Sequence, residues 1–323
     1  MRKLILIAVL VVAAAIGGIV YVLSGGDDSR RTGALSGRSY ATGTVVLQAE
    51  GVSFGRLKSA SCGAVSADVA RVAATVETKV PVDAKQIGPA KYESCELTFG
   101  WSMDKSLFTW ISDALASKAA RKNLTLSYLD FNYVEKSRLD LDQAAIAKVE
   151  LPALDAANNI PVYVTLTVAP QSILAAAGSG ATVQVPPTSS SKSQLGSNFR
   201  FDYGGSPLTK VTKVESWSFE VDPATQKALL GEVGITVNET DPRMASLSSS
   251  FKKFLIDGEN GNKSETTAGF VLLNSALTAN NATVAFTGVG WAAGELVGAT
   301  SADNSIAKRR YSLYVEGATL TVE

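Results

Sequence analysis

The sequence contains no histidine, and this absence removes several kinds of chemistry at once. Without an imidazole there is no serine or cysteine nucleophile activated by histidine, no imidazole general base, and no zinc or haem held by histidine. Cysteine is nearly as scarce: only Cys62 and Cys95 occur, and two thiolates cannot complete a structural zinc site by themselves. We therefore expect a protein that is not an enzyme and that has no catalytic residues, no metal site and no cofactor.

An excess of charge of either sign is also missing, because 30 basic residues are balanced by 30 acidic ones. A basic excess would favour nucleic acid as a partner, so its absence argues against one. Hydrophobic residues make up 46% of the chain and charged residues 19%, which is typical of a folded protein and not of a disordered one. A chain of 323 residues is long enough for two domains of ordinary size.

What is present first is a long apolar run at the N-terminus, from Leu4 to Leu23, directly after Arg2 and Lys3. At about 1.5 Å per residue, this run would cross the hydrocarbon core of a bilayer as a helix. The two basic residues before it favour a cytoplasmic N-terminus. The run therefore predicts a membrane partner for this chain, with the bulk of the chain outside the cytoplasm.

Two interpretations of the leader stay open. A retained transmembrane anchor fits its length, whereas a cleaved signal peptide fits the small residues Ala13–Ala15 and would export the rest of the chain. We interpret residues 1–24 as the anchor or signal sequence, and residues 25–40, which are rich in glycine, serine and charge, as a stalk.

Whether the two cysteines are bonded depends on where the chain is located. If the chain lies outside the cytoplasm, Cys62 and Cys95 could form a disulfide. The alternative is a pair of buried free thiols.

Beyond the stalk, a glycine-, serine- and proline-rich stretch at 173–198 predicts a linker or long loop between two β domains, 41–172 and 199–323. Most segments in both domains have the alternating apolar pattern of strands. Each domain also has one segment with helical periodicity, around Leu107–Leu115 and Met244–Leu255.

The two domains share an order of elements. Glu96–Phe99, a strand, is followed by Asp104 as a helix N-cap and then by the first amphipathic helix. Gly234–Val237, also a strand, is followed by Asp241 and the second helix. A tandem duplication of one domain explains this order, and two unrelated α+β domains are the alternative.

Several short motifs have an ordinary structural interpretation. Gly288–Ala293 matches G-x-G-x-x-A, but too little chain follows for a dinucleotide-binding unit, so we expect a hairpin turn. Asp140 and Asp142 could act as a carboxylate pair, although a solvated loop is the simpler interpretation. Asp222 followed by proline predicts the start of a short helix. Core packing is expected for the four tryptophans, Trp101, Trp110, Trp217 and Trp291.

Three stretches resemble a known family. Leu47–Gly55, followed by Leu57–Val69, resembles the opening hairpin of contractile-phage tail tube proteins. Tyr92–Trp110 is similar to their strand that leads into a helix carrying a tryptophan, and Leu124–Phe131 is similar to the strand that follows. Relatives of this family include the Hcp tubes of type VI secretion and the tubes of extracellular contractile injection systems.

The resemblance implies a mainly β (α+β) fold, with two β-barrel-like sandwich domains that each carry a flanking helix, preceded here by the transmembrane helix. It implies a structural subunit without catalytic residues that associates with itself through barrel edges and the flanking helix. Single-domain members form hexameric rings that stack into a tube, and a duplicated member would form trimeric rings of pseudo-sixfold symmetry. The alternative function is a membrane-anchored surface or periplasmic binding module for a protein or glycan partner.

Overall fold

The structure is a computed structural model that describes residues 43–72, 84–185, 193–297 and 306–323. The predicted anchor between Leu4 and Leu23 and the predicted stalk lie outside the described residues. Among those that are described, none of the helices combines the length and the apolar character that a bilayer crossing requires.

The strands of the first half follow from alternating side chains. In the segment 164–169 the side chains of Val164, Leu166 and Val168 are fully buried while those between them are partly exposed, as expected for a strand with one face on a core. The elements of this half are β1 (Thr44–Ala49), β2 (Val52–Cys62), β3 (Val65–Val72), β4 (Ala84–Tyr92), β5 (Cys95–Phe99), α1 (Lys105–Leu115), β6 (Lys122–Leu129), β7 (Glu135–Leu151), β8 (Leu154–Asp155), β9 (Val164–Ala169) and β10 (Ser172–Ala177).

Six of these strands close into an antiparallel barrel in the order β7, β6, β1, β2, β5 and β9, and β9 returns to pair with β7. The helix α1 covers the barrel with an apolar face that includes Leu107 and Ile111. As predicted, Asp104 caps this helix, since its carboxylate accepts the Ser106 N–H at 2.9 Å. Its hydrogen bonds with Ser106 hold the pKa of Asp104 below the ordinary value.

The second half repeats this arrangement of elements. Its sheet runs β12, β11, β17, β18, β19, β16 and β13, with β12 and β13 in the place of β2. The elements are β11 (Phe199–Tyr203), β12 (Ser206–Leu208), β13 (Val211–Val214), β14 (Trp217–Val221), β15 (Ala228–Leu230), β16 (Val233–Asn238), α2 (Met244–Phe251) with a π-helical turn (Lys252–Ile256), β17 (Thr266–Leu273), β18 (Asn280–Val297), β19 (Lys308–Tyr314) and β20 (Gly317–Val322).

The mainly β architecture predicted from the sequence, with a barrel and flanking helices, is therefore present. Two local predictions were wrong. Gly288–Ala293 is not a hairpin turn but the middle of β18, where Gly288 has a φ of +58° and the strand changes partners from β17 to β19. Asp222 does not begin a helix. Its carboxylate accepts the N–H groups of Ala224 and Thr225, at 2.7 and 3.0 Å, and closes the turn between β14 and β15.

Strand pairing joins the two halves. On the edge of β7 away from β9, β14 pairs in antiparallel register, with Phe219 opposite Val149 and Trp217 opposite Leu151. The short β8 pairs with β13, and α1 packs against β20. Residues 41–323 group as one compact unit. Within the predicted linker or long loop 173–198, β10 pairs with β7, and the division into the domains 41–172 and 199–323 stays a prediction.

Trp217 occupies the centre of this junction between β14 and β7. It is fully buried, and its indole N–H donates to the carbonyl of Gly231 at 2.9 Å. Its ring meets Phe286 edge to face, with centroids 4.9 Å apart. Phe219 is buried beside it. These aromatic side chains make the junction part of the hydrophobic core and not a surface contact.

A disulfide joins the two cysteines at the root of the β3–β4 hairpin. Cys62 ends β2 and Cys95 begins β5, and the two residues are directly opposite each other. The hairpin lies entirely between them in sequence, so the bond fixes both of its ends.

Replacing Trp217 with alanine is expected to lower the free energy of unfolding of the full chain by about 3–5 kcal/mol, because the change opens a cavity in the junction. Urea unfolding followed by circular dichroism measures this loss. Leu229→Ala is the matched control, since Leu229 lies on the neighbouring β15 with its side chain largely exposed. Equal, small losses for both variants would contradict a core role for the junction.

Replacing both Cys62 and Cys95 with serine is expected to lower the free energy of unfolding by about 3–4 kcal/mol, from the entropy that the bond removes from the unfolded chain. The 33 residues that separate the two cysteines set this magnitude. Reducing agent should destabilise the original chain and leave the double variant unchanged. The prediction fails if the original chain carries two titratable thiols after isolation without reductant.

Candidate assembly surfaces

Side chains that could hold a metal ion do not come together in the described residues. No group of three or more Cys, Asp or Glu residues there could hold a metal ion. Asp140 and Asp142 lie within β7, so the solvated loop that the sequence predicted for them is wrong. Asp140 pairs with Arg138 at 3.1 Å and accepts the Thr125 hydroxyl at 2.8 Å, so it is bound within the sheet.

The four tryptophans pack in or against the core, as predicted. Trp101 stacks in parallel on Phe108, with ring centroids 5.6 Å apart. The indole N–H of Trp110 donates to the carbonyl of Ala120 at 2.7 Å, and that of Trp291 donates to the Ser250 hydroxyl at 3.1 Å. With these contacts the rings are part of the core and do not form a sugar-stacking surface.

Two ionisable groups have protonation states fixed by their surroundings. Burial opposes ionisation of Glu135, but hydrogen bonds from Ser127 (2.6 Å) and the Ser179 N–H (2.8 Å) outweigh it and lower the pKa. Burial, together with its hydrogen bond to Glu265 at 2.8 Å, raises the pKa of Tyr314 to about 12. At neutral pH Glu135 is therefore ionised and Tyr314 protonated, and both act as fixed structural groups.

The β3–β4 hairpin is the first candidate surface. Its strands pair only with each other among the described residues, whereas the equivalent β14–β15 hairpin is docked on β7. Val65, Val69 and Ile87 expose 54%, 60% and 72% of their surface, respectively. Asp68 and Lys91 form an ion pair at 2.6 Å across the two strands. Apolar side chains this exposed on an isolated hairpin indicate a surface that contacts another molecule.

The second candidate surface is the C-terminal part of β18. Residues 293–297 pair with β19 on one edge, and no strand in the described part of the chain pairs with them on the other. Gly294 lacks a side chain where a Cβ would lie 2.7 Å from the ring of Phe251 and 3.0 Å from that of Tyr311. An open groove of about 330 Å³ lies over the face of the sheet here, from Gly234 of β16 across β19 to residues 293–295 of β18. Leu296, on the same edge, is 61% exposed.

The flanking helices differ in how much of their apolar surface is covered. α1, which packs against β20, buries a broad face, and α2 buries only Met244 and Leu247. Leu255 and Ile256, in the turn after α2, remain exposed. On the first half, Leu174 of β10 is exposed as well.

Sequence reasoning predicted barrel edges and a flanking helix as the associating parts, but it did not find these particular surfaces. The resemblance places Leu57–Val69 in the opening hairpin and gives no boundary between the barrel strand β2 and the separate strand β3. The break at Gly63-Ala64 between two apolar runs was the available signal. The free edge of β18 left no local signal, because it depends on which strands lie next to it.

Part of the chain matches the model of a known protein family. The model of the family described as T4-like virus tail tube protein gp19 matches residues 47–173. A comparison with curated proteins found no match.

Solved structures that are similar to this chain come from contractile injection systems. They include the sheath–tube complex of the PVC extracellular contractile injection system in its extended state, with 16% identity, a TM-score of 0.38, and coverage of 44% of this chain and 94% of that one. For the anti-feeding prophage baseplate the identity is 16% and the TM-score 0.33, with coverage of 42% of this chain and 91% of that one. For the tube-terminating cap of the anti-feeding prophage the identity is 14% and the TM-score 0.35, with coverage of 47% of this chain and 96% of that one. The match to the family model confirms, for residues 47–173, the resemblance to contractile-phage tail tube proteins that the sequence predicted.

Proposed function

We propose that this chain is a structural subunit that associates with copies of itself into rings or tubes. The observation that carries the proposal is the match of residues 47–173 to the tail tube family model. That match spans the barrel strands, α1 and the β3–β4 hairpin. Members of the family are structural proteins, and this chain, without histidine, is poor in groups for catalysis.

The two candidate surfaces support the same function. The β3–β4 hairpin with its exposed valines is complementary to the edge of β18 that no described strand pairs with, since a strand edge binds another strand through backbone hydrogen bonds. They are different surfaces on one chain, so contacts between copies are heterologous and close into a ring or continue as a filament.

In this proposal the chain assembles at a membrane. The apolar run from Leu4 to Leu23 anchors the chain, and the β-rich part lies outside the cytoplasm. Removal of the leader would instead release an exported subunit.

A binding module is the second candidate function, and the exposed β3–β4 hairpin is the observation that favours it. The hairpin would then hold a foreign protein while the chain itself stays monomeric. Self-association distinguishes the two functions.

The test is the state of the purified full chain in a mild detergent, examined by analytical ultracentrifugation and negative-stain electron microscopy. Rings or stacked tubes are expected at micromolar concentration. Repeating the measurement in detergents of different micelle size is the control, because association through the apolar leader changes with the micelle and association through the β-rich part does not. A monomer in every detergent would overturn the proposal and favour the binding module.

The anchor is tested in the producing cell. We expect the chain in the membrane fraction to resist alkaline extraction and to have the intact mass of 33.7 kDa. A mass below that of the intact chain, with a mature N-terminus that begins after Ala13–Ala15, would show that a signal peptide was cleaved. Recovery of the full-length chain in the soluble cytoplasmic fraction would contradict both.

A further inference from the structure

The junction of β14–β15 with β7 has an equivalent pair of surfaces, the β3–β4 hairpin and the edge of β18 that no described strand pairs with. We infer that copies of the chain join through these two surfaces. In this arrangement the β3–β4 hairpin of one copy adds to the free edge of β18 in the next copy, as β14–β15 adds to β7 within the chain. The inference rests on the proposed function and names the interface that it uses.

The first step is the equivalence of the two hairpins. The β2–β5 ladder has a bulge between Leu57 and Ser59, and the β13–β16 ladder has one between Val211 and Lys213. Counting forward from these bulges, Val65 of β3 corresponds to Phe219 of β14.

A pair of hydrogen bonds supports this alignment. The Glu93 N–H donates to the Ala64 carbonyl at 3.2 Å, and the Gly231 N–H donates to the Ser218 carbonyl at 2.9 Å. Each bond closes the root of its hairpin, one residue before the aligned position.

The second step is the equivalence of the two long strands. The β7–β9 ladder has a bulge between Ile146 and Lys148, and the β18–β19 ladder has one between Trp291 and Ala293. Continuing past each bulge, Gly294 occupies in β18 the place of Val149 in β7. β10 and β20 pair with the earlier parts of these two strands in the same way.

The two steps together set the register between copies. Phe219 lies opposite Val149 within the chain, so Val65 lies opposite Gly294 of the next copy. Ser66 then lies opposite Ala293, and Gly63 opposite Leu296. The edge of β7 used by β14 corresponds to the edge of β18 that no described strand pairs with.

The flanking helices show the same direction of assembly. Within the chain, α1 of the first half packs against β20 of the second. The equivalent contact between copies joins α2 of the copy that supplies β18 to β10 of the copy that supplies the hairpin. Both elements carry an exposed apolar side chain, Ile256 after α2 and Leu174 on β10. The contact joins the second half of one copy to the first half of its neighbour.

The side chains at the new register fit each other. Phe219 and Trp217 fill the internal junction, and their equivalents Val65 and Gly63 are small. The receiving strand is also small at this point, since Gly294 has no side chain and the rings of Phe251 and Tyr311 lie over it. The isopropyl group of Val65 would pack beside the partly exposed ring of Phe251. The interface between copies is therefore the same in backbone geometry as the internal one, with less apolar contact.

Photo-cross-linking tests the register in the full chain. We replace Ser66 with p-benzoylphenylalanine, irradiate a mixture of isotopically light and heavy chains, and map the linked peptides by mass spectrometry. The expected product joins position 66 of one copy to residues 291–297 of another. The same probe at Ile87, on the far strand of the hairpin, is the matched control and should not label residues 291–297.

A pair of aspartate variants tests the energetics. Leu296→Asp is expected to weaken self-association by about tenfold or more, because Leu296 lies inside the interface. Ile160→Asp is the control: Ile160 is 59% exposed, against 61% for Leu296, and it lies outside both surfaces. Both variants should keep the unfolding midpoint of the original chain, because both side chains are exposed.

The outcomes separate this inference from the proposed function. Rings that form without a link between position 66 and residues 291–297, or that tolerate Leu296→Asp as well as Ile160→Asp, overturn the interface and leave the structural role standing. A chain that remains monomeric overturns both. Cross-links found only within single chains also overturn the interface.

Discussion

The structure depends on one constraint, that the polar edge of a strand has to be paired. Barrel closure satisfies the edges of most strands in the first half, but β7 is longer than its partner β6 and continues past it. β14 pairs with that continuation, so the extra length of β7 provides the attachment point for the second half. In β18, whose length is similar, the corresponding continuation has no such partner among the described residues.

Much of the fold could be predicted from local pattern. The burial of Leu107 and Ile111 follows from helical periodicity, and the cap at Asp104 from its position before the helix. Strand partners could not be predicted, because pairing joins residues far apart in sequence. The glycines around Gly288 show this, since a local interpretation gives a turn where the chain continues as one strand through a change of partners.

The sequence predicted the family resemblance better than it predicted the candidate surfaces. Leu47–Gly55 and the following segments carry the resemblance in side-chain order, and the family model matches the same region. Whether Val65 is exposed depends instead on the absence of a neighbour, which side-chain order does not record. The equivalence between Val65 and Phe219 became visible only through the bulges in the two ladders, which place both residues at the same distance from a shared irregularity.

The covalent connection between the halves has a consequence for the contact of β14 with β7. Because one polypeptide supplies both strands, their encounter is intramolecular, and its equilibrium does not depend on how much protein is present. Dilution can separate two independent copies, but it cannot remove a hairpin that is tethered to its own acceptor strand. The aromatic side chains Trp217 and Phe219 then hold this tethered contact in the core, so the two halves stay joined at any concentration.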